Sequence, residues 1–296
     1  MRIENLDTEK RNPNSLQIDR VSTEEMLRII NQEDQTIAQQ VGEKLELIAE
    51  AVDQGSARYK KGGRLIYIGA GTSGRLGLLD AVELVPTYGI SPDRAIGLIA
   101  GGNQAFVRAV EGAEDSKELA VEDLKSISLS KEGVVIGLAA SGRTPYVIGG
   151  LEYANDIGAL TIAISCNPQS QIGQIAIIPI DVPVGPEVVT GSTRMKAGTA
   201  QKMILNMLST GIMIKLGYVY QNLMINVQTT NEKLVDRGIR IICEATGSSR
   251  QKAAETMKLT NNEVNTAIVM IEKKLDVDQA RTLIKDNEGA LAKIID

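Results

Sequence analysis

The chain has 296 residues, 43% of them apolar, which is enough for one α/β domain with a sizeable core and a smaller appended piece. A net charge of −5 and 3% aromatic content argue against nucleic acid or an anionic membrane as the partner, and against a base-stacking platform. Histidine is absent, which excludes Ser-His and Cys-His nucleophilic mechanisms within one chain, leaves a zinc or iron site without its usual ligand, and hands any proton transfer to Asp, Glu, Lys or Tyr.

The N-terminal stretch, residues 1–22, is polar and broken at Asn12-Pro13-Asn14, with no apolar core of the kind a signal peptide has. Ser22 with Glu25 three positions on marks a helix start. Ile37, Val41, Leu45, Ile48 and Val52 recur at helical spacing and predict one long amphipathic helix over about 33–60. Short β-branched runs then alternate with helical segments: 64–69, 95–101, 134–140, 160–165 and 175–183. That alternation predicts βαβ units and a five-stranded parallel sheet, doubly wound, with helices on both faces. A helix rich in small residues and Met is expected over about 193–216, another over 230–246, and three short helices over 248–296 form a small C-terminal bundle. No run of about 18 apolar residues is present to span a membrane, and two cysteines, Cys166 and Cys243, give no disulfide framework and point to a reducing compartment.

Three turns at strand ends share one chemistry. The first is Gly71-Thr72-Ser73-Gly74, the second Ser141-Gly142-Arg143-Thr144-Pro145, and the third Thr190-Gly191-Ser192-Thr193-Arg194. Each joins a flexible glycine, side-chain hydroxyls and a following helix N-terminus, a combination that favours a bound anion. Taken singly, such hydroxyls are as readily helix caps. Taken together, they point to one small phosphorylated ligand outside the carboxyl ends of the strands. Gly69, Gly71 and Gly74 also spell the dinucleotide fingerprint G-x-G-x-x-G. That reading needs an acid closing the second strand, where the chain has Ala100-Gly101-Gly102-Asn103.

Strand-end Ser/Thr turns on a five-stranded sheet resemble the sugar isomerase (SIS) domain, which binds phosphosugars. Leu6-Asp7-Thr8-Glu9-Lys10-Arg11-Asn12 with Ser15 and Ile18-Asp19, the stretch Gly69–Gly89, and Gly185-Pro186-Glu187-Val188-Val189-Thr190-Gly191-Ser192-Thr193-Arg194-Met195-Lys196-Ala197-Gly198-Thr199 narrow this further. These are similar to motifs of the N-acetylmuramic acid 6-phosphate etherase family, the last being shared with the glucokinase regulatory protein. The resemblance divides the chain into an N-terminal arm and helices (1–54), a SIS domain (55–222) and a C-terminal helical region (223–296). It implies a cytoplasmic carbon–oxygen lyase of cell-wall sugar recycling, free of metal or organic cofactor. The enzyme splits the D-lactyl ether of N-acetylmuramate 6-phosphate into N-acetylglucosamine 6-phosphate and D-lactate. A non-catalytic phosphosugar sensor is the alternative, and a phosphosugar isomerase a third.

The chemistry fits paired carboxylates. The open-chain sugar has an aldehyde at C1 that acidifies the C2 proton; a base removes it, the C3 lactyl oxygen leaves as an acid protonates it, and water adds to the unsaturated aldehyde. The resemblance places these roles on Glu83 (acid) and Glu114 (base). It places substrate binding on Gly71, Thr72, Ser73, Gly74, Ser141, Gly142, Arg143, Thr144, Thr190, Ser192, Thr193, Arg194 and Lys196. If 106–115 is helical, Glu114 borders an apolar face set by Val107 and Val110, and such walls raise a carboxyl pKa. Glu83 lies nine residues past Gly74, about 13 Å along a helix, so one ligand spans the loop and Glu83 only with difficulty. A homodimer with its site at the subunit interface answers this.

Overall fold

The computed structural model describes residues 6–108, 110–229 and 231–295; the opening residues of the N-terminal arm, 1–5, lie outside them. Five strands, β1 (Leu65–Gly69), β2 (Ala95–Ile99), β3 (Val134–Ala139), β4 (Leu160–Ser165) and β5 (Ile178–Asp181), form one parallel sheet in the order β2-β1-β3-β4-β5. β1, β3 and β4 are buried along their whole length, as continuous β-branched runs covered on both faces should be.

Alternate side chains serve opposite faces. Ile66, Ile68, Val135 and Ala163 meet α6 (Lys117–Ser126), α7 (Pro145–Ile157) and α8 (Gln171–Ile175) on one side, through Leu124, Tyr146, Leu151 and Ile172. Tyr67 points to the other side, where α4 (Gly71–Tyr88) runs so close that a Cβ on its Gly77 would lie 2.8 Å from the Tyr67 Cβ. Because the chain leaves β1 for β2 on one flank and returns to β3 on the other, the loops after β1 and β3 diverge to opposite faces. A crevice opens between them at the carboxyl ends of the strands.

The helix expected to start after Ser22 is α1 (Thr23–Asp34, capped by the Ser22 hydroxyl), whereas the one expected over 33–60 is two pieces, α2 (Ile37–Gly42) and α3 (Leu45–Lys60). The interruption follows Gly42, a poor helix former, and Lys44 leaves helical geometry at φ −112°. The apolar stripe survives the breaks at Ile37, Val41, Ile48 and Val52, all buried, whereas Leu45 is exposed at the start of α3. The segment 106–115 is likewise not one helix. It holds a single turn, α5 (Gln104–Val107), and then a 3-10 turn over Ala113–Asp115 behind Gly112, whose φ of +78° stops helical propagation.

The remaining helices are α9 (Lys196–Lys215), α10 (Glu232–Thr246), α11 (Arg250–Leu259), α12 (Val264–Lys273), α13 (Val277–Asp286) and the one-turn α14 (Ala292–Ile295). Among the described residues the C-terminal stretch from 248 thus has four helices where the periodicity predicts three. The chain forms two compact units, one up to Val82 with Asp93–Ser209, the other Glu83–Pro92 with Thr210 onward. The first contains the sheet and the N-terminal helices, with α3 packed on β4 and β5. The second has its own core, built from Ile225, Ile242, Met257, Ile268, Ala280 and Leu291.

Candidate functional site

The first two hydroxyl-rich turns follow the ends of β1 and β3 directly, while the third comes after a connection from the end of β5 at Asp181 and leads into α9. In the first, Gly71 takes a left-handed φ of +52° and opens α4, while Gly74 seats the helix on β1. A Cβ at Gly74 would lie 2.6 Å from the Gly69 carbonyl oxygen and 2.7 Å from Ile99 Cγ1. The glycines of this loop serve a tight turn and close helix–strand packing; β2 ends at Ile99 and runs into Ala100-Gly101-Gly102-Asn103 without an acid.

The first and third turns stand side by side. The buried Ser73 hydroxyl donates to Gln201 Oε1 on α9 at 2.9 Å, and Gly198 faces the Thr72 methyl. Gln201 is fully buried and its Nε2 has no partner among the described residues. In the third turn Ser192 and Thr193 are half-buried, while Thr190 and Arg194 are exposed. The amides that open α9 are closed by a buried carboxylate: Lys196 N and Ala197 N donate to Glu187 at 2.9 and 3.0 Å. Burial pushes the Glu187 carboxyl above its usual range, against the pull of those two bonds. Lys196, read as a substrate ligand, is itself buried, with Nζ 2.6 Å from Glu33 Oε2, so its charge is neutralised inside the fold.

The second turn packs on a different neighbour, the loop after β4. Gly142 has φ +71°, and a Cβ there would come within 2.4 Å of Ser170 Cβ. Ser165 and Ser170 donate to Asp181 at 2.5 and 2.7 Å, which fixes that loop. Ser141, Gly142 and Arg143 line a small cavity with Leu6, Asn167 and Ser170; Thr144 is the N-cap of α7, without a side-chain cap bond.

The N-terminal arm closes this end of the sheet. Thr8 and Asn167 exchange two hydrogen bonds, Asn12 donates to Glu33 and to the Pro186 carbonyl, and Ser15 donates to the Val188 carbonyl. Burial pushes the Glu33 carboxyl up, but bonds from Asn14, Lys196 and Asn12 outweigh it and hold it below its usual range. The motif residues Thr8, Asn12 and Ser15 are therefore staples, whatever else they do.

A cavity of about 200 Å³ opens beside the first turn, lined by Ala70, Gly71, Arg75, Ala100, Val110, Glu111 and Glu114. It brings Glu114 to the same recess as Gly71. Glu114 is exposed, and so are Val107 and Val110, at 81% and 40%. The apolar helical face expected beside it is not built, because the segment that would have carried it is not one helix. Glu83 lies exposed on the C-terminal half of α4, in the second unit. A larger cavity of about 580 Å³ within that unit, lined by Asn226, Gln228, Asn265 and Arg281, contains none of the catalytic or binding residues expected from the sequence.

Sequence reasoning misses Arg75, Gln201 and Glu187 as parts of this site. Arg75 directly follows the glycine loop, and that position is its only signal in the sequence. Glu187 lies inside the Gly185–Thr199 motif, though nothing there marks it as the group that closes the start of α9, and Gln201 meets Ser73 across 128 positions and carries no local signal.

Residues 47–155 match the glucokinase regulatory protein N-terminal SIS domain family, and 116–211 match the SIS domain family. The chain is 60% identical to an N-acetylmuramic acid 6-phosphate etherase of Lactobacillus gasseri, over 100% of this chain and 99% of that one. It is 55% identical to the etherase of that name from Clostridium beijerinckii, over 100% and 97% of the two chains. Among solved structures, a phosphoheptose isomerase from Francisella tularensis superposes on 65% of this chain and 98% of its own, with a TM-score of 0.51 and 14% identity, a likeness of fold.

Proposed function

The chain belongs to the N-acetylmuramic acid 6-phosphate etherase family, and from that premise we propose how its strand-end site performs the family's reaction. It is a carbon–oxygen lyase: it cleaves the D-lactyl ether of N-acetylmuramate 6-phosphate, giving N-acetylglucosamine 6-phosphate and D-lactate. What carries this reading is full-length identity of 55–60% to etherases, in a chain whose Glu114 lines a recess beside the Gly71 loop.

In this reading Glu114 takes the C2 proton of the open-chain aldehyde and Glu83 protonates the departing lactyl oxygen. Water then adds at C3. The hydroxyls and amides of the three turns hold the phosphate and sugar hydroxyls. α4 is continuous from Gly71 to Tyr88, so Glu83 stands about 13 Å along its axis from Gly74. We assign the two carboxylates of one site to two subunits of a cytoplasmic homodimer. Among the described residues no helix is long and apolar enough to cross a membrane.

The test is to incubate the protein with N-acetylmuramate 6-phosphate and assay D-lactate. Release of lactate supports the lyase; intact binding without lactate favours a phosphosugar sensor. Mixing Glu83→Gln and Glu114→Gln chains, each strongly impaired alone, should restore part of the activity, because half of the sites in a mixed dimer would hold both carboxylates. Mixed dimers that stay inactive would sink the shared site.

A further inference from the structure

We propose that Arg75 is a positioning residue for Glu114. It clamps the segment that carries the carboxylate and sets the gap between Glu114 and the Gly71 loop. The inference rests on the reading above, in which Glu114 acts on the substrate.

Arg75 sits in the second turn of α4, immediately after the glycine loop. Its Nε donates to the Phe106 carbonyl at 2.9 Å and its Nη2 to the Ala105 carbonyl at 2.7 Å. These are carbonyls near the end of the single-turn helix α5, where a helix has no partners of its own to offer. Two adjacent acceptors held by one planar fork fix both distance and orientation. An ammonium, as a point charge, cannot reproduce that.

The clamp matters because this stretch is mostly exposed. Phe106 is 45% exposed and Val107 81%, and of the helical turn Gln104–Val107 only Ala105 is buried. Both ends of the stretch turn on left-handed glycines, Gly101 and Gly102 before it and Gly112 after it. Beyond the turn, Val110 packs on Gly101 and Ala113 packs on the sheet core. The segment is thus pinned to the sheet at its far end and to α4 by Arg75 at its near end. Arg75, Gly71, Glu111 and Glu114 line one recess, so a shift of the segment moves the carboxylates relative to the loop that holds the substrate.

Arg75→Lys and Arg75→Met test this, read as kcat and KM for D-lactate release, together with affinity for the product N-acetylglucosamine 6-phosphate. A displacement of about 1 Å at a reacting group costs on the order of 100-fold in rate, so kcat should fall by roughly 10- to 100-fold while product affinity changes little. Lys should rescue only a small part of the loss. In a Glu114→Gln background, Arg75→Lys should add less than about twofold, because residues acting as a unit are not additive. Fully additive losses, or product affinity falling as far as kcat, would overturn the inference. If Glu114→Gln alone retained full activity, Glu114 would have no role and this inference would fall with it. Additivity against a damaged Glu114→Gln enzyme would remove Arg75 alone. If Arg75→Met fails to fold, the Lys variant carries the cycle.

Discussion

The glycines of the first turn make opposite demands, and substituting them separately tests the packing argument. At Gly74 a methyl group would meet the Gly69 carbonyl oxygen at 2.6 Å, Ile99 Cγ1 at 2.7 Å and the Gly69 carbonyl carbon at 2.9 Å. Two of those three atoms are backbone of a central strand, so the helix must lift instead. Ordinary contact begins near 3.4 Å, which asks for a displacement of about 0.8 Å and strains the bond from Gly74 N to Ala70 O. Overpacking of this kind costs about 1–3 kcal/mol. For a unit of this size that lowers Tm by roughly 2–12 °C. At Gly71 the space is open and only the left-handed backbone resists, at about 1 kcal/mol. Urea unfolding followed by circular dichroism should therefore rank Gly74→Ala as the less stable variant. Gly71→Ala should fold nearly as well as the parent yet bind phosphosugar more weakly, since its methyl enters the recess that Gly71 lines. If Gly74→Ala matches the parent in stability, or Gly71→Ala proves the less stable of the two, the assignment of close packing to Gly74 is wrong.

Burial raises the Asp80 carboxyl above its usual value, against bonds from Tyr67 and Ser209 and the charge of Lys202. The native state then holds that proton more tightly than the unfolded chain does, and stability from this group is full below the unfolded pKa and lost as pH rises through the folded one. Asp80→Asn should accordingly cost less stability at pH 7 than at pH 4, as read by urea midpoints; a cost that grows with pH contradicts the sign. Glu33 has the opposite sign. Its carboxyl is held down, so its contribution is present above the unfolded pKa and fades as pH falls through the folded value. Glu33→Gln, which leaves the buried Lys196 ammonium uncompensated, should cost about 3 kcal/mol at neutral pH, less in acid, and should loosen the N-terminal arm to proteolysis. An unchanged cleavage rate near Asn12 would show that the arm is held by other contacts. Replacing Ser73, Ser141 and Thr193 by Ala, one at a time, should raise KM more than it lowers kcat, because ground and transition states use these hydroxyls alike. Collapse of kcat with KM held would assign them to the chemistry.

Much of this protein is legible in its sequence, and the reason is local. Strands buried on both faces read as unbroken β-branched runs, and all five are found within two or three residues of where those runs place them. The Ser22 cap and the three glycine-and-hydroxyl turns are also written in adjacent residues. Where the structure departs, a single glycine decided against periodicity: Gly42 ends a helix that the apolar stripe carries onward, and Gly112 turns the chain before Glu114. The protein's lack of histidine, its three strand-end turns and its family motifs were determined by sequence alone. Which groups meet was decided by tertiary structure: Ser73 with Gln201, Glu187 with the start of α9, Lys196 with Glu33, Arg75 with the carbonyls before Glu114. Those partners lie between 9 and 163 positions apart, and a hydrogen bond depends on distance and angle in space, which spacing along the chain does not encode until the sheet has brought the loops together.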